Sequence, residues 1–278
     1  MRPNALDAWP DLVPRLARFR RLAVFVDFDG TLAPIRARAS AVRLSRRARR
    51  VLAALAARGH VVGIISGRAI NDLRRRVGLT GLWYVGDHGF LLESPRGRRL
   101  QLVRHRERAA VVRATRTLRA SLRGVSGVTI EPKDAGVAVH YRNAPAPSRL
   151  VAARVARQLG RAANGLRVMA GKCVWELVPI GTVDKALAVR LILQSERRRR
   201  GGALLPIYIG DDTADERVFS TQARVSIAVG PRPSAAARYR LRSPAEVCRW
   251  LERLATLDPP GAPTARRASA ARRRTPRG

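Results

Sequence analysis

Two clusters of acidic residues in the sequence each follow a short apolar run. The first is the string DFDGT at residues 27–31, which ends the apolar run 22–27. Two carboxylates this close on a bending loop, Asp27 and Asp29, can face one point, one as a nucleophile and the other as an acid and base. Gly30 permits the sharp turn. An isolated Asp-x-Asp pair often only caps or turns a loop, so the apolar run and the full string together carry the prediction of nucleophilic catalysis.

The second cluster is the string GDDTADE at residues 210–216, which follows another apolar run. Its four acidic residues would repel one another unless a cation held them together. Carboxylate oxygens suit Mg²⁺, which keeps several waters and accepts phosphate oxygens. An acid-rich helix N-terminus would also explain Asp215 and Glu216. The helix N-terminus does not explain why Asp211 and Asp212 directly follow the apolar run. The sequence therefore predicts a magnesium site.

Two residues between these clusters complete the predicted chemistry. Ser66 follows a third apolar run and can bind phosphate oxygens; the alternative is an ordinary helix cap. Lys185 can neutralise an aspartate nucleophile and a phosphate together; the alternative is a solvated surface lysine. Of the 55 basic residues only three are lysine. Because the planar fork of arginine cannot replace a point charge in a tight pocket, we interpret the retained lysines as functional.

The elements that must position these residues alternate between strands and helices. Strands are predicted at 22–27, 60–65, 82–85, 204–209 and 225–229. Helices are predicted at 44–58, from about 69 to 77, and at 183–196, 214–220 and 244–257, with an exposed turn at 197–202. This alternation indicates an α/β fold with a doubly wound parallel sheet. Ligands of such sheets bind beyond the carboxyl ends of the strands, where both acidic clusters fall.

The pattern changes between residues 104 and 181. A long helix is predicted at 104–123 and a second at 148–161, and strands are predicted at 128–131, 136–141, 166–169 and 173–178. This order predicts a small α+β module inserted into the main sheet. We therefore expect a first part of the core at 1–103, the inserted module at 104–181, a second part of the core at 182–257, and a disordered basic tail at 258–278.

The composition sets limits on the class of protein. Apolar residues make up 46% of the chain, enough for a packed core. Cys173 and Cys248 show neither metal-ligand spacing nor a disulfide framework, which fits a reducing compartment. The first thirty residues show no signal peptide, and no run approaches the length of a membrane span. We expect a cytoplasmic monomer without a membrane partner.

The net charge of +35 raises the question of nucleic-acid binding. The arginines are spread over every segment, which favours a general preference for arginine over a dedicated binding surface. No specific nucleic-acid partner is therefore predicted, although non-specific binding of polyanions is physically expected.

The motifs in this order resemble those of the haloacid dehalogenase superfamily of phosphatases, and more closely those of trehalose-6-phosphate phosphatases. The resemblance covers about residues 20–255 and rests on VDFDGTLAPI (26–35), IISGR (64–68), GDHG (86–89), EPKDAGVAVHYR (131–142), GKCVWELVP (171–179) and YIGDDTADE (208–216). It implies a haloacid dehalogenase-like core, with residues 104–181, the cap module, recognising a sugar.

By this resemblance Asp27 would form an aspartyl-phosphate, and Asp29 would protonate the leaving sugar oxygen and then activate water. Mg²⁺ would be held by Asp27, Asp211 and the main-chain carbonyl of Asp29, with Asp212 close by. Ser66 and Lys185 would hold the phosphate. The residues expected to support these groups are Gly30, Thr31 and Asp215.

The implied substrate is trehalose 6-phosphate, cleaved to trehalose and phosphate. Sugar hydroxyls need paired donors and acceptors. The polar residues expected to supply them are Arg68, His88, Glu131, Lys133, His140, Arg142, Lys172 and Glu176. Two alternatives remain: a related sugar phosphatase acting on sucrose 6-phosphate or mannosylglycerate phosphate, and a polyanion-binding protein with an inactive phosphatase fold.

Overall fold

The computed structural model describes residues 2–36, 41–162, 165–171, 173–181, 183–232 and 234–257. The predicted tail at 258–278 and the predicted sugar ligand Lys172 lie outside these ranges. The strands are β1 (Arg21–Asp27), β2 (Val61–Ile65), β3 (Trp83–Gly86), β4 (Leu91–Glu93), β5 (Arg99–Gln101), β6 (Thr129–Pro132), β7 (Val137–His140), β8 (Leu166–Gly171), β9 (Val174–Pro179), β10 (Leu204–Gly210), β11 (Val225–Val229) and β12 (Tyr239–Leu241). The helices are α1 (Trp9–Leu16), α2 (Arg46–Ala57), α3 (Ile70–Val77), α4 (His105–Ser121), α5 (Ala146–Ala162), α6 (Lys185–Arg200), α7 (Glu216–Thr221) and α8 (Pro244–Ala255).

The main sheet has the strand order β12-β11-β10-β1-β2-β3-β4-β5 over the described residues. The strands from β12 to β3 are parallel, and β4 and β5 add an antiparallel edge. The chain leaves β1 toward β2 on one side and returns through β10 on the other. The crevice that binds ligands in such sheets lies at this change of direction, beside the end of β1.

The sheet forms because its central strands are almost wholly apolar. In β1, residues 22–27 are all buried, which is typical of a parallel strand covered on both faces. One face packs against α1, α2, α3 and α8, with Trp250 at 0% exposure in its centre. The other face packs against α6 and α7. The structure confirms the predicted α/β fold.

A second, antiparallel sheet has the order β6-β7-β9-β8 within the described residues. One of its faces packs on α4 and α5 through apolar residues such as Val137, Val139 and Leu177. Because side chains alternate along a strand, the neighbouring positions point to the opposite face, which carries the polar residues Glu131, His140 and Glu176 beside the apolar Ala138. This arrangement confirms an inserted α+β module, while its predicted boundaries at 104 and 181 stay predictions.

One predicted element is wrong and several were not foreseen. The predicted turn at 197–202 is wrong because residues 197–200 are the last turn of α6. Arginine is a good helix former, and cations at a helix C-terminus are favourable. The elements α1, β4, β5 and β12 were not predicted, since the strands have three residues each and α1 contains Pro10 and Pro14. The predicted helix at 214–220 is a 3₁₀ turn at Thr213–Asp215 followed by α7.

Candidate active site

The carboxyl ends of three neighbouring strands place the predicted catalytic residues together. Asp27 is the last residue of β1 and pairs with Ile65, so Ser66 follows directly beside it. On the other side Val26 pairs with Ile209, so Asp211 follows the end of β10. The buried apolar runs thus deliver these polar residues to one edge of the sheet.

Lys185 makes a buried ion pair with Asp27. Its Nζ lies 2.6 Å from Oδ1 of Asp27 and 2.8 Å from Oδ1 of Asp215. Asp184 places this lysine at the start of α6, because its carboxylate caps the helix by accepting the N–H of Leu187. Burial opposes the charge of Lys185, but Asp215 and Asp27 outweigh burial and raise its pKa. The lysine therefore stays charged beside the predicted nucleophile.

Asp215 holds Lys185 from the far side and is itself held by three donors. It is 0% exposed, and it accepts hydrogen bonds from Lys185, from the Tyr208 hydroxyl at 2.7 Å and from the main-chain N–H of Asp212 at 3.0 Å. Burial and the charge of Asp215 raise the pKa of Tyr208 well above its usual value, so the phenol stays a donor. Tyr208 is not among the residues predicted from the sequence, although its strand directly precedes the GDDTADE string.

Asp211 lies against the turn that follows Asp27. The Thr31 hydroxyl donates to Oδ1 of Asp211 at 3.2 Å. Burial and the charge of Asp215 raise the pKa of Asp211 to about 6. Gly30 has φ +89°, and a Cβ at this position would collide with the Asp211 carboxylate. Glycine is therefore required here both by the backbone conformation and by the close approach of the acid.

The site carries more negative charge than its own residues compensate. Asp27, Asp211 and Asp215 face one cation, Lys185. Burial raises the pKa of Asp27 well above its usual value, and Asp215 and Asp211 add to this effect against Lys185. A hard divalent cation such as Mg²⁺ suits this set of oxygen donors and would supply the missing positive charge.

The side chains alone do not form a closed metal cage in the described part of the chain, where no group of three His, Cys, Asp or Glu residues is close enough to hold an ion. This fits Mg²⁺, which keeps several waters and takes few protein ligands. Asp212, a predicted ligand, is 60% exposed at its side chain and accepts hydrogen bonds from Thr213 N and Arg232. Its carboxylate acts as a cap and an ion-pair partner in this arrangement.

The Asp29 carboxylate is held by the guanidinium of Arg68. Nε and Nη2 of Arg68 each lie 2.6 Å from one oxygen of the Asp29 carboxylate. Arg68 also contacts Asp72 at 3.1 Å, and its guanidinium lies 5.7 Å from the centre of the Phe28 ring. The structure thus places Arg68, a predicted sugar ligand, against the predicted acid and base.

The cap sheet presents polar residues toward the core. Glu131 and Glu176 each pair with Ala138 across neighbouring strands, so both acids point to one face. The His140 ring lies 2.7 Å from the Glu131 carboxylate. Arg142, the other predicted ligand of this region, is exposed directly after β7.

Two contacts join this polar face to the core. Glu176 lies 2.7 Å from Lys133 and 2.6 Å from His88 of the core, and Lys133 also donates to the main-chain oxygen of Gly67 at 2.8 Å. Burial alone would raise the pKa of Glu176, but His88 and Lys133 outweigh it and lower the pKa to about 2. A Cβ at Gly67 would collide with the His88 ring, so a glycine is needed for this approach.

Asp87 lies beside this junction and was not singled out in the sequence. It is 2% exposed, and neither of its carboxylate oxygens has a hydrogen-bond partner among the described residues. Burial raises its pKa to about 7, against the opposing charge of Lys133. Its burial depends on how the cap meets the core, which local sequence patterns do not record.

Comparison with known proteins matches this architecture to one family. The family model described as trehalose-phosphatase matches residues 25–243. The chain belongs to the trehalose-phosphatase family. This confirms the resemblance drawn from the motifs, because the match includes both acidic clusters and the cap module.

Members of the trehalose-phosphatase family are found among both sequence relatives and solved structures. The trehalose-phosphate phosphatase of Mycobacterium marinum is 38% identical over 264 residues, which cover 89% of this chain and 66% of that protein. An uncharacterized glycosyl hydrolase of Mycobacterium tuberculosis is 41% identical over 271 residues, which are 91% of this chain but 20% of that protein. The chain thus spans a fifth of one relative and 66% of the other.

The solved structures support the fold. The C-terminal domain of the Candida albicans trehalose-6-phosphate phosphatase has a TM-score of 0.76 at 23% identity, covering 93% of this chain and 100% of that one. A haloacid dehalogenase-like hydrolase of Bacteroides thetaiotaomicron has a TM-score of 0.62 at 19% identity, covering 84% and 99%. Within the described residues no helix is both long and apolar enough to cross a membrane.

Proposed function

We propose that this chain is a magnesium-dependent phosphatase that hydrolyses trehalose 6-phosphate to trehalose and phosphate. The observation that carries the proposal is Lys185, buried between Asp27 and Asp215. A lysine in this position neutralises both a carboxylate nucleophile and the phosphate it attacks. The M. marinum relative supports the substrate, since its printed name is trehalose-phosphate phosphatase.

The first step is assigned to Asp27. Because Lys185 binds Oδ1 of Asp27, we assign the attack on phosphorus to Oδ2. The new O–P bond forms as the bond from phosphorus to the sugar oxygen breaks, and that oxygen takes a proton from the carboxyl group of Asp29. Bound Mg²⁺, held by Asp27, Asp211 and the main-chain carbonyl of Asp29, would supply positive charge that lets two anions approach.

The second step regenerates Asp27. Asp29, now a carboxylate, takes a proton from a water molecule whose oxygen attacks the phosphorus of the aspartyl-phosphate. The bond between phosphorus and Oδ2 of Asp27 breaks and phosphate leaves. Ser66, buried beside the strand end, and Lys185 hold the phosphate oxygens during both steps.

The cap residues are proposed to recognise the sugar. Glu131, His140, Lys133 and Glu176 offer charged donors and acceptors on one face, which suits the hydroxyl groups of a disaccharide. Arg142 is exposed beside this face and is proposed to join them, as is Lys172. His88 reaches the same place from the core.

The reaction is tested by measuring phosphate release from a panel of sugar phosphates with Mg²⁺. We expect trehalose 6-phosphate to have the highest kcat/KM. Equal or better turnover of sucrose 6-phosphate or mannosylglycerate phosphate would replace the substrate while keeping the chemistry. Asp27→Asn is expected to abolish turnover and the hydroxylamine-sensitive phosphoenzyme, whereas Asp11→Asn, on an exposed part of α1, retains both.

The same variant tests the alternative of an inactive phosphatase fold that binds polyanions. If Asp27→Asn turned over substrate at the wild-type rate, the nucleophile would be assigned wrongly. If no sugar phosphate were hydrolysed by the wild type while polyanion binding persisted, the alternative would replace the proposal.

A further inference from the structure

A cavity of about 400 Å³ lies at the edge of the main sheet opposite the candidate active site. Its wall includes His60 and Val61 at the start of β2 and Trp83 at the start of β3. These strands end at Ile65 and Gly86 on the other side, so the cavity is separated from Asp27 by the length of the strands. Its size lies in the range of pockets that bind small molecules.

Arginines from two separate elements converge on this cavity. Arg96 and Arg98 come from the turn between β4 and β5, and Arg199 and Arg200 come from the last turn of α6. Among the described lining residues, Glu196 is the one acid. The side chains of Arg96, Arg98 and Arg200 form no ion pair or hydrogen bond within the described part of the chain.

The single glutamate is already occupied. Glu196 is 1% exposed, and it accepts hydrogen bonds from Arg21 at 3.3 Å, from Nε1 of Trp83 at 3.1 Å and from Arg199 at 3.0 Å. Arg21 lies next to the cavity, and its Nε is buried without a partner among the described residues. The cavity therefore has an excess of positive charge, and a buried donor without a partner in the described part of the chain lies beside it.

The floor and walls add groups that suit an organic anion. His60 accepts the N–H of Leu22 at Nδ1, at 3.3 Å, so its ring proton is on Nε2 and is available as a donor. The apolar surface comes from residues such as Val61, Trp83 and Pro95. A pocket with apolar walls and several guanidinium groups is typical of sites that bind phosphate-bearing molecules.

The general excess of arginine in this chain does not account for the convergence. Cations in the last turn of a helix are favourable without any ligand, and this explains Arg199 and Arg200. It does not explain Arg96 and Arg98, which reach the same cavity from a hairpin on another part of the sheet. Four cations on one concave surface repel one another, and a bound anion would relieve this repulsion.

We propose that this cavity is a second ligand site, which binds small molecules carrying a pyrophosphate group. The four lining arginines hold the phosphate oxygens, and the surface of Trp83 and Pro95 contacts any ring attached to them. The site is independent of the proposed phosphatase reaction. It is linked to the active site by α6, which begins at Lys185 and ends at Arg200.

The indole N–H of Trp83 provides a local probe, since the chain contains four tryptophans and Trp83 is bonded to Glu196 inside the cavity. We expect inorganic pyrophosphate, added without Mg²⁺, to shift the Trp83 indole signal in ¹H–¹⁵N spectra in a saturable manner. Trp83→Phe assigns the signal. Tighter binding of ADP than of pyrophosphate would identify a nucleotide as the ligand, and equal binding would identify the inorganic anion.

Two double variants that remove the same charge distinguish a defined binding site from non-specific attraction by the overall positive charge of the protein. Arg96→Gln/Arg98→Gln is expected to weaken pyrophosphate binding about tenfold or more, because it removes charge-assisted hydrogen bonds. Arg116→Gln/Arg119→Gln, on the exposed side of α4, removes the same charge and is expected to leave the affinity unchanged. Equal losses in both variants, or an absent or non-saturable Trp83 shift, would overturn the proposal.

Failure of this proposal is distinguishable from failure of the phosphatase assignment. Asp27→Asn is expected to remove turnover and to leave the Trp83 titration as in the wild type. If Asp27→Asn removed the Trp83 shift, the signal would report on the active site and the second site would be disproved.

Discussion

Arg68 binds both carboxylate oxygens of Asp29, at 2.6 Å from each. Asp72 fixes Arg68 in turn, at 3.1 Å. A bidentate pair of this kind holds the Asp29 side chain in one orientation. As a carboxylate, Asp29 can take a proton from water. To protonate a leaving sugar, Asp29 must carry a proton, and at least one of the Arg68 contacts must then be given up.

Arg68→Gln is expected to reduce kcat for a sugar phosphate about tenfold or more, because the proposed acid and base loses its orientation. The loss should be much smaller for p-nitrophenyl phosphate, whose leaving group departs without protonation. Steady-state kinetics with both substrates measures this difference.

A matched control for Arg68 lies on α3, the helix that follows it. Arg75 also contacts Asp72, at 3.6 Å, and its side chain is 79% exposed. Arg75→Gln should leave both substrates unaffected. A rise in KM for the sugar phosphate alone, with kcat unchanged, would show that Arg68 binds the sugar and does not position Asp29.

Asp215→Asn tests the anchoring of Lys185. This change removes one of the two carboxylates that hold the lysine and is expected to lower kcat about tenfold or more, because the lysine no longer stays fixed against Asp27. Tyr208→Phe removes one donor to Asp215 while keeping the ring contact with Phe219, 5.6 Å between ring centres. We expect about 1 kcal/mol loss of stability and a smaller loss of kcat from this variant.

Denaturant unfolding and kcat measured on both variants separate these effects. If Tyr208→Phe lowered kcat as much as Asp215→Asn, the hydroxyl itself would take part in the reaction. If Asp215→Asn kept the wild-type kcat, Lys185 would need no second anchor.

Much of the fold was predictable because several buried apolar runs in the sequence are followed directly by polar residues. Residues 22–27 and 61–65 are buried on both faces of a parallel sheet, so their ends had to meet at one edge. The placement of Asp27, Ser66 and Asp211 follows from this local pattern. The polar face of the cap was predictable for the same reason, since β7 alternates between apolar and other residues.

The rest depends on how separate elements pack. Nothing in the sequence around Arg68 indicates that it binds Asp29, 39 positions away. The local sequence also gives no indication that Asp87 is buried, because its burial depends on the cap. It gives no indication of the arginine-lined cavity, because that cavity is formed by a hairpin and the end of a helix. The predicted turn at 197–202 was wrong because arginine repeats suggest exposure but do not end a helix; Gly201, with φ +62°, ends it.

Glu176→Gln tests the junction between the cap and the core. The variant replaces charged contacts to Lys133 and His88 with weaker ones, and we expect KM for the sugar phosphate to rise about tenfold with a smaller change in kcat. KM for p-nitrophenyl phosphate, which lacks the sugar, should stay as in the wild type. Asp134→Asn, exposed on the same hairpin as Lys133, is the control.

The pH dependence of this junction follows from the pKa of Glu176. The pKa is lowered from 4.5 to about 2 in the folded protein, so the stabilisation is present above pH 4.5 and is lost only as the pH falls toward about 2. The contribution of Glu176 to stability, measured as wild type minus Glu176→Gln, should therefore decrease as the pH is lowered from 5 to 3. A contribution that stayed the same over this range would contradict the assignment.

Because the Asp87 carboxyl is buried, the free energy of unfolding should decrease as the pH rises. Its pKa is raised from 3.8 to about 7, so the folded state keeps a proton that the unfolded state releases, and folding is weakened progressively between these values. Asp87→Asn cannot ionise and should be more stable than the wild type at pH 8, by up to about 4 kcal/mol. Urea unfolding of both proteins at pH 4, 6 and 8 measures the difference, with the exposed Asp11→Asn on α1 as control. A difference that stayed the same from pH 4 to pH 8 would show that Asp87 is ionised throughout and is neutralised by a partner in the folded protein.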